Sequence, residues 1–188
     1  EVLADISAGR EIEINHFFSQ ETSFMTGSAK TGLIIVSADK GLCGAFNTNI
    51  LRAALQWFKR HEGPVSVTLV GRKVKEFVVR LSIPNVEHLG ELVGIFPKVS
   101  FAHAELLGKP ALDMFMNKSL ASLHVIYNEF KSAVSQRVVE RQLLPIPIPT
   151  IGTQPVNAYG FKFEPKREAL LSALLPRYVK AQLYRILL

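Results

Sequence analysis

The residues of this chain best placed for chemistry run from Ser37 to Thr48: Ser37, Ala38, Asp39, Lys40, Gly41, Leu42, Cys43, Gly44, Ala45, Phe46, Asn47, Thr48. A carboxylate, an amine, a thiol and two glycines fall close together there. Glycine amides can cradle a phosphate, and a thiol beside a base can act as a nucleophile. The spacing argues against both. A dinucleotide site needs Gly-x-Gly-x-x-Gly after a strand, with an acidic residue ~20 positions on. Here Gly41 and Gly44 stand apart by two residues, and the next apolar run ends in Val70, Gly71 and Arg72, with no carboxylate for a ribose. Lys40 precedes both glycines, and no Gly-Lys-Ser/Thr occurs, so a P-loop is missing too. None of the five histidines (16, 61, 88, 103 and 124) is spaced to serve Cys43 as a base, which leaves a small thiol packed against a sheet.

Other catalytic signatures fail in the same way. Gly-x-Ser-x-Gly, His-Glu-x-x-His and Cys-x-x-Cys are absent, and His103-Ala104-Glu105 has no cysteine pair to complete a deaminase zinc site. A single cysteine excludes an intramolecular disulfide framework and any multi-cysteine zinc site. No catalytic residue, cofactor or metal is therefore expected. The net charge of +6 is spread along the chain, with Arg72, Lys73 and Lys75 its densest group and Lys59, Arg60 and His61 the next. These sit at expected helix ends or polar faces, without the aromatic interleaving of a nucleic-acid surface. No apolar run reaches the ~18–20 residues that span a bilayer.

The elements that must position the Ser37–Thr48 turn follow from periodicity. Leu33 to Val36 is a continuous aliphatic run, the mark of a strand buried on both faces. Ile50, Leu51, Ala54, Leu55 and Phe58 recur at helical spacing, Gly63-Pro64 ends that helix, and Val65 to Val70 is a second strand. Gly71 opens a helix with Val74, Phe77, Val78 and Leu81 on one face, closed by Pro84, and Val86 to Leu92 is a third, shorter strand. Ser100 caps a helix to about Asn117 that Gly108-Lys109-Pro110 should bend or interrupt. Leu120 to Tyr127 is a fourth strand, and Ala133 to Leu144 an antiparallel extension. Pro145, Pro147 and Pro149 make a polyproline-like exit, and Tyr159 to Phe163 alternates as an edge strand. A last helix carries the stripe Leu170, Leu171, Leu174, Leu175, Tyr178, Val179 and Leu183, with a kink expected at Pro176. The alternation of strands and helices predicts an α/β fold, Rossmann-like, with a mostly parallel sheet flanked by helices. Within the turn, Gly41 is expected at positive φ, Gly44 to let the helix start close to the sheet, Asp39 to hold turn amides and Asn47 to cap the helix.

The turn also resembles the signature of a known family, the γ subunits of F-type ATP synthases, whose first strand ends in a segment like Ser-Asp-Arg-Gly-Leu-Cys-Gly followed by a small residue, a hydrophobic residue and Asn. Further blocks occur in the same order. Leu123 to Phe130 with Ser135-Gln136 and Gln142 to Ile146 is similar to the family's strand and Gln-Leu-Leu-Pro pattern. Phe163-Glu164-Pro165, then Leu170-Leu171 and Arg177-Tyr178-Val179, resembles its entry into the final helix. The likeness covers roughly residues 33 to 188. The resemblance implies an end of an N-terminal shaft helix over 1–9, a connector over 10–32, an α/β globular domain over 33–165 and the start of a C-terminal shaft helix over 166–188. Most of both shaft helices are thus expected to lie outside this sequence.

What the family implies is mechanical. Ion flow turns a c-ring, γ turns with it, and its shaft drives the catalytic β subunits; γ itself is non-catalytic. The partners implied are the α and β subunits through the shaft, the ε subunit and the c-ring. The implied location is peripheral, at the cytoplasmic face of a bacterial cell membrane. Ser37, Asp39, Lys40, Gly41, Leu42, Cys43, Gly44 and Asn47 carry the family motif, as a structural turn. Arg72, Tyr159, Phe161 and Phe163 are candidates for partner contact. The alternative reading is a Rossmann-like nucleotide-binding enzyme.

Overall fold

The computed structural model describes residues 17–18, 29–41, 45–132, 135–147 and 167–188. The most apolar runs become the buried strands. β1 (Lys30–Val36) and β2 (Val65–Val70) lie at the centre, with β2 burying Ser66 and Thr68 along with its aliphatic residues. β3 (Val86–Leu92) and β5 (Ser135–Leu144) form the edges, and β4 (Leu120–Ser132) lies between β1 and β5. The order is β3-β2-β1-β4-β5. Every pairing among β3, β2, β1 and β4 is parallel, and β4 pairs with β5 antiparallel. This is the α/β architecture the strand–helix alternation predicts. β3 has the expected bounds but, at seven residues, is as long as β1, not shorter.

β4 outruns the sheet. Its pairing with β1 ends at Ile126, while its pairing with β5 continues through Tyr127 to Ser132. The strands therefore project as a two-stranded ribbon of roughly 20 Å. Phe130, on the ribbon, is 71% exposed.

Helices cover both faces. α1 (Ala45–Arg60) and α2 (Arg72–Leu81) close one core around Leu33, Ile35, Val67, Leu69 and Ile126. α3 (Phe101–Met116) and α4 (Arg167–Leu187) close the other around Ile34, Val36, Val125 and Tyr127. The alternation of β1 side chains between the two cores is the period of two that a strand imposes.

Helix faces depart from expectation in detail. In α1 the fully buried line is Ile50, Ala54 and Trp57, with Leu51 and Phe58 at its margins. The indole takes the centre because it has the largest apolar surface to remove from water. α2 buries Val74 and Val78, while Leu81 ends partly exposed beside the left-handed Ser82. α4 buries Leu175, Val179, Leu183, Ile186 and Leu187, leaving Leu174 and Tyr178 about half exposed.

Neither proline interrupts its helix. α3 runs unbroken through Pro110, and α4 through Pro176. Pro110 and Leu106, one turn earlier, are both exposed, so the carbonyl that the proline releases faces water. Ser100 starts α3, donating its backbone N–H to His103 Nδ1 at 3.0 Å. Where α3 meets α4, Gly108 is buried, and a β-carbon there would stand 3.2 Å from both Leu183 Cδ1 and Lys180 Cγ. The missing side chain sets how closely the two helices approach.

Candidate functional site

The Ser37 turn follows β1, at the carboxyl edge of the sheet, where open α/β folds place their ligands. Its polar groups are turned inward on the chain itself. The Ser37 N–H continues the β1–β2 ladder to the Val70 carbonyl at 2.8 Å. The Ser37 hydroxyl is buried; it accepts from the Val74 N–H at 3.0 Å and donates to the Val70 carbonyl at 3.3 Å. A helix leaves its first amides unsatisfied, and Ser37 supplies one acceptor to α2 from a different strand.

Asp39 does more. Its Oδ1 accepts from the backbone N–H of Arg72 at 3.1 Å and of Gly94 at 2.9 Å, and its Oδ2 accepts from Phe96 at 3.3 Å. One carboxylate thus joins the loops after β1, β2 and β3. It also stands at the N-terminus of α2, the position where a helix attracts anions through its dipole and free amides. The amides it binds are those of neighbouring loops and not, as expected, of its own turn.

Asn47 also differs from expectation. It lies inside the first turn of α1 and reaches back over the preceding loop: Oδ1 accepts from the Ala38 N–H at 3.1 Å, and Nδ2 donates to the Lys40 carbonyl at 3.2 Å. It therefore holds the turn in place of capping the helix. Asn128, from β4, donates to the Phe46 carbonyl at 3.1 Å and ties the start of α1 to the ribbon.

The glycine that the geometry demands is Gly71. It has φ 92°, and a β-carbon on it would lie 2.2 Å from the Ser37 carbonyl oxygen. Gly41 is not in the left-handed region, and a β-carbon there meets only Lys73 Cε at 3.6 Å. The crowding comes from β1 and β2 lying side by side, which spacing within the turn does not reveal. Leu42, Cys43 and Gly44 lie outside the described residues, as do Tyr159, Phe161 and Phe163. Arg72 is brought to the turn through its backbone, with its side chain in solvent near Glu76.

Sequence reading missed Gly71 as a contact point, Asn128, and the Gly94–Phe96 loop. The signals available were a glycine at the end of β2 and an amide side chain two positions into the ribbon. The Gly94–Phe96 contribution has none, because it consists of backbone amides alone.

A second cluster lies at the far end of α1. Trp57 stacks on His61, with ring centroids 4.5 Å apart and planes 9° from parallel, and His124 tilts against it at 6.1 Å. Burial lowers the affinity of His61 for a proton. It does the same for His124, where the positive field of His61 adds to it and Glu140 opposes. Glu140 itself is paired with Arg60 at 2.8 Å. Among the described residues no helix is long and apolar enough to cross a membrane.

Comparison with known proteins places this geometry. A family model described as ATP synthase matches residues 1–188. The chain is 35% identical over 192 residues to the ATP synthase gamma chain of Elusimicrobium minutum, covering all of this chain and 62% of that one. It is 34% identical over 157 residues to the gamma chain of Solibacter usitatus, covering 83% of this chain and 52% of that one. The chain therefore spans between about half and three fifths of these relatives' length. Among solved structures it is similar to a chain in the central stalk and c-ring of the Tetrahymena thermophila mitochondrial ATP synthase, with TM-score 0.64, 21% identity and coverage of 95% and 77%. It is also similar to a chain in the rotor of the Euglena gracilis mitochondrial ATP synthase, with TM-score 0.60, 15% identity and coverage of 93% and 67%. With its whole length matched by the family model and by a gamma chain 35% identical to it, this chain belongs to the ATP synthase gamma family.

Proposed function

We infer that this chain is the globular part of the central rotor of an F-type ATP synthase, and that its task is to carry torque without catalysing any step. The observation that supports this most directly is the family match over the entire sequence. The site supports it as well. Where an enzyme of this fold would leave amides open for a phosphate, Asp39 fills the place at the N-terminus of α2 and binds three loops into one unit. A dense interior with tied loops transmits strain in place of absorbing it.

On this reading the c-ring turns the domain, the ε subunit binds beside it, and the shaft helices engage the α and β subunits, where ATP is made or hydrolysed. The chain is then held at the membrane surface through its complex, on the cytoplasmic side in a bacterium. Arg72, exposed beside the Asp39 clasp, is the described residue nominated for partner contact. Tyr159, Phe161 and Phe163 are nominated with it from sequence alone.

Reconstitution tests the reading. The full-length protein should co-purify with α and β in a fixed ratio, and ATP hydrolysis by the complex should depend on it. No assembly, together with nucleotide binding by the isolated chain, would overturn the rotor and restore the Rossmann-like enzyme.

A further inference from the structure

The parallel sheet has a topological switch point between β1 and β4. From β1 the chain crosses to β2 on one side, over the face covered by α1, and β4 is entered on the other side from α3. Beyond the carboxyl ends of these two strands such folds open a crevice. Here it measures about 710 Å³, within the range of small-molecule sites. Its described walls come from the ends of β1 and β4, from the ribbon, and from the last turn of α4.

The lining has two kinds of surface. Phe46, Phe96, Tyr127 and Phe130 supply aromatic walls. Arg141 and Arg185 supply two guanidinium groups, and Arg141 Cζ lies 5.8 Å from the centre of the Tyr127 ring. Neither arginine takes part in the ion pairs found among the described residues. The neighbouring carboxylate of Glu140 lies on the opposite face of β5 and is bound by Arg60. Among the described lining residues Glu129 carries the one acidic side chain, against the two guanidinium groups of Arg141 and Arg185.

We propose that this switch-point crevice binds a small amphiphilic anion: an aromatic or alkyl body lying against the four aromatic rings, with one carboxylate, sulfonate or phosphate head met by Arg141 and Arg185. The head is held by side chains because the helix N-terminus nearby is already occupied by Asp39. The site adjoins the clasp, sharing Phe96, whose backbone N–H binds Asp39 while the residue also lines the crevice, and makes no demand on the rotor reading.

The probe is 8-anilinonaphthalene-1-sulfonate, an aromatic anion that brightens on leaving water, titrated into the full chain at pH 7.5. Decanoate should displace it, and decyltrimethylammonium, with the same tail and the opposite charge, should not. Arg141→Gln and Arg185→Gln should each weaken both anions about tenfold, the scale of one charge-assisted hydrogen bond. Emission from Trp57, which belongs to the opposite core, reports whether each variant is folded. Should an arginine variant fail to fold, Phe130→Ala serves instead, since Phe130 is 71% exposed and its removal leaves the core intact. Leu106→Gln, at an exposed apolar position on α3, should change nothing. Equal affinity in wild type and the folded variants overturns the proposal, as does equal displacement by the cationic tail. Displacement by ADP but not by decanoate also overturns it, in favour of a nucleotide site.

Discussion

A β-carbon on Gly71 would stand 2.2 Å from the carbonyl oxygen of Ser37. The two residues lie on adjacent strand ends, and the gap between them is closed to any side chain. Gly71 also has φ 92° and ψ 147°, a region that residues with a β-carbon enter only at a cost of about 1–3 kcal/mol.

Gly71→Ala should therefore be among the most damaging single changes in the chain. Strain and collision together should remove at least about 3 kcal/mol, since the strand ends must separate to admit the methyl group. Urea denaturation of the purified variant measures this. A midpoint equal to wild type would show that the strand ends part freely.

Asp39 offers a graded test. Asp39→Ala leaves three amides to find water, and should cost about 1–3 kcal/mol. Asp39→Asn keeps one acceptor oxygen and should lose less. Asp39→Gly opens a space in which added acetate or formate should restore part of the melting temperature, while chloride at equal ionic strength should not. Thermal melts with and without the salts decide the matter. Equal melting of all three variants would mean that water replaces the carboxylate at no loss.

The histidines around Trp57 make stability depend on pH. Burial lowers the proton affinity of His61 and His124 in the folded state, so the unfolded chain takes up protons first as pH falls. Stability is then whole above about pH 6.5, the ordinary value for histidine, and declines as pH drops below it. His124→Gln should flatten this decline between pH 7.5 and 5.5 in urea titrations. Protonation should also quench Trp57, the only tryptophan, through the stacked His61 ring. An unchanged pH slope in His124→Gln would place the titration elsewhere.

The contact between α3 and α4 is set by Gly108 and Leu183. Leu183→Ala, at a fully buried site, should cost about 2–5 kcal/mol. Gly108→Leu should cost a comparable amount by forcing the helices apart, since Lys180 and Leu183 already lie 3.2 Å from where its β-carbon would be. Differential scanning calorimetry reads both. A Gly108→Leu protein that melts at the wild-type temperature would show slack in this interface.

The central strands were legible because apolar residues cluster in them between glycine and proline signals, and the bounds of the more polar β3 also follow from sequence alone. The antiparallel return of β5 was legible too. What escaped was set by tertiary neighbours. Trp57 lies beside Phe58 in sequence, and only the sheet beneath α1 decides which ring is inside. Asp39 was expected to bind locally, yet two of its three partners lie more than fifty residues away, at Gly94 and Phe96. Backbone amides have no sequence signature, so a side chain that binds them gives no hint of where it reaches. Gly71 was visible as a glycine but not as a necessity, because the atom it avoids belongs to another strand.

The two cores have a further consequence. The buried side chains of α4 belong to one, those of α1 and α2 to the other, and the five-stranded sheet stands between them. On the proposed rotor reading, a twisting load entering through α4 would be handed to α1 and α2 across the sheet, the torsion plate of the domain. Its compliance is that of the hydrogen-bonded ladders flanking β1, loaded side by side. The Asp39 clasp acts as a brace across three of its strand ends, keeping them from splaying under that load.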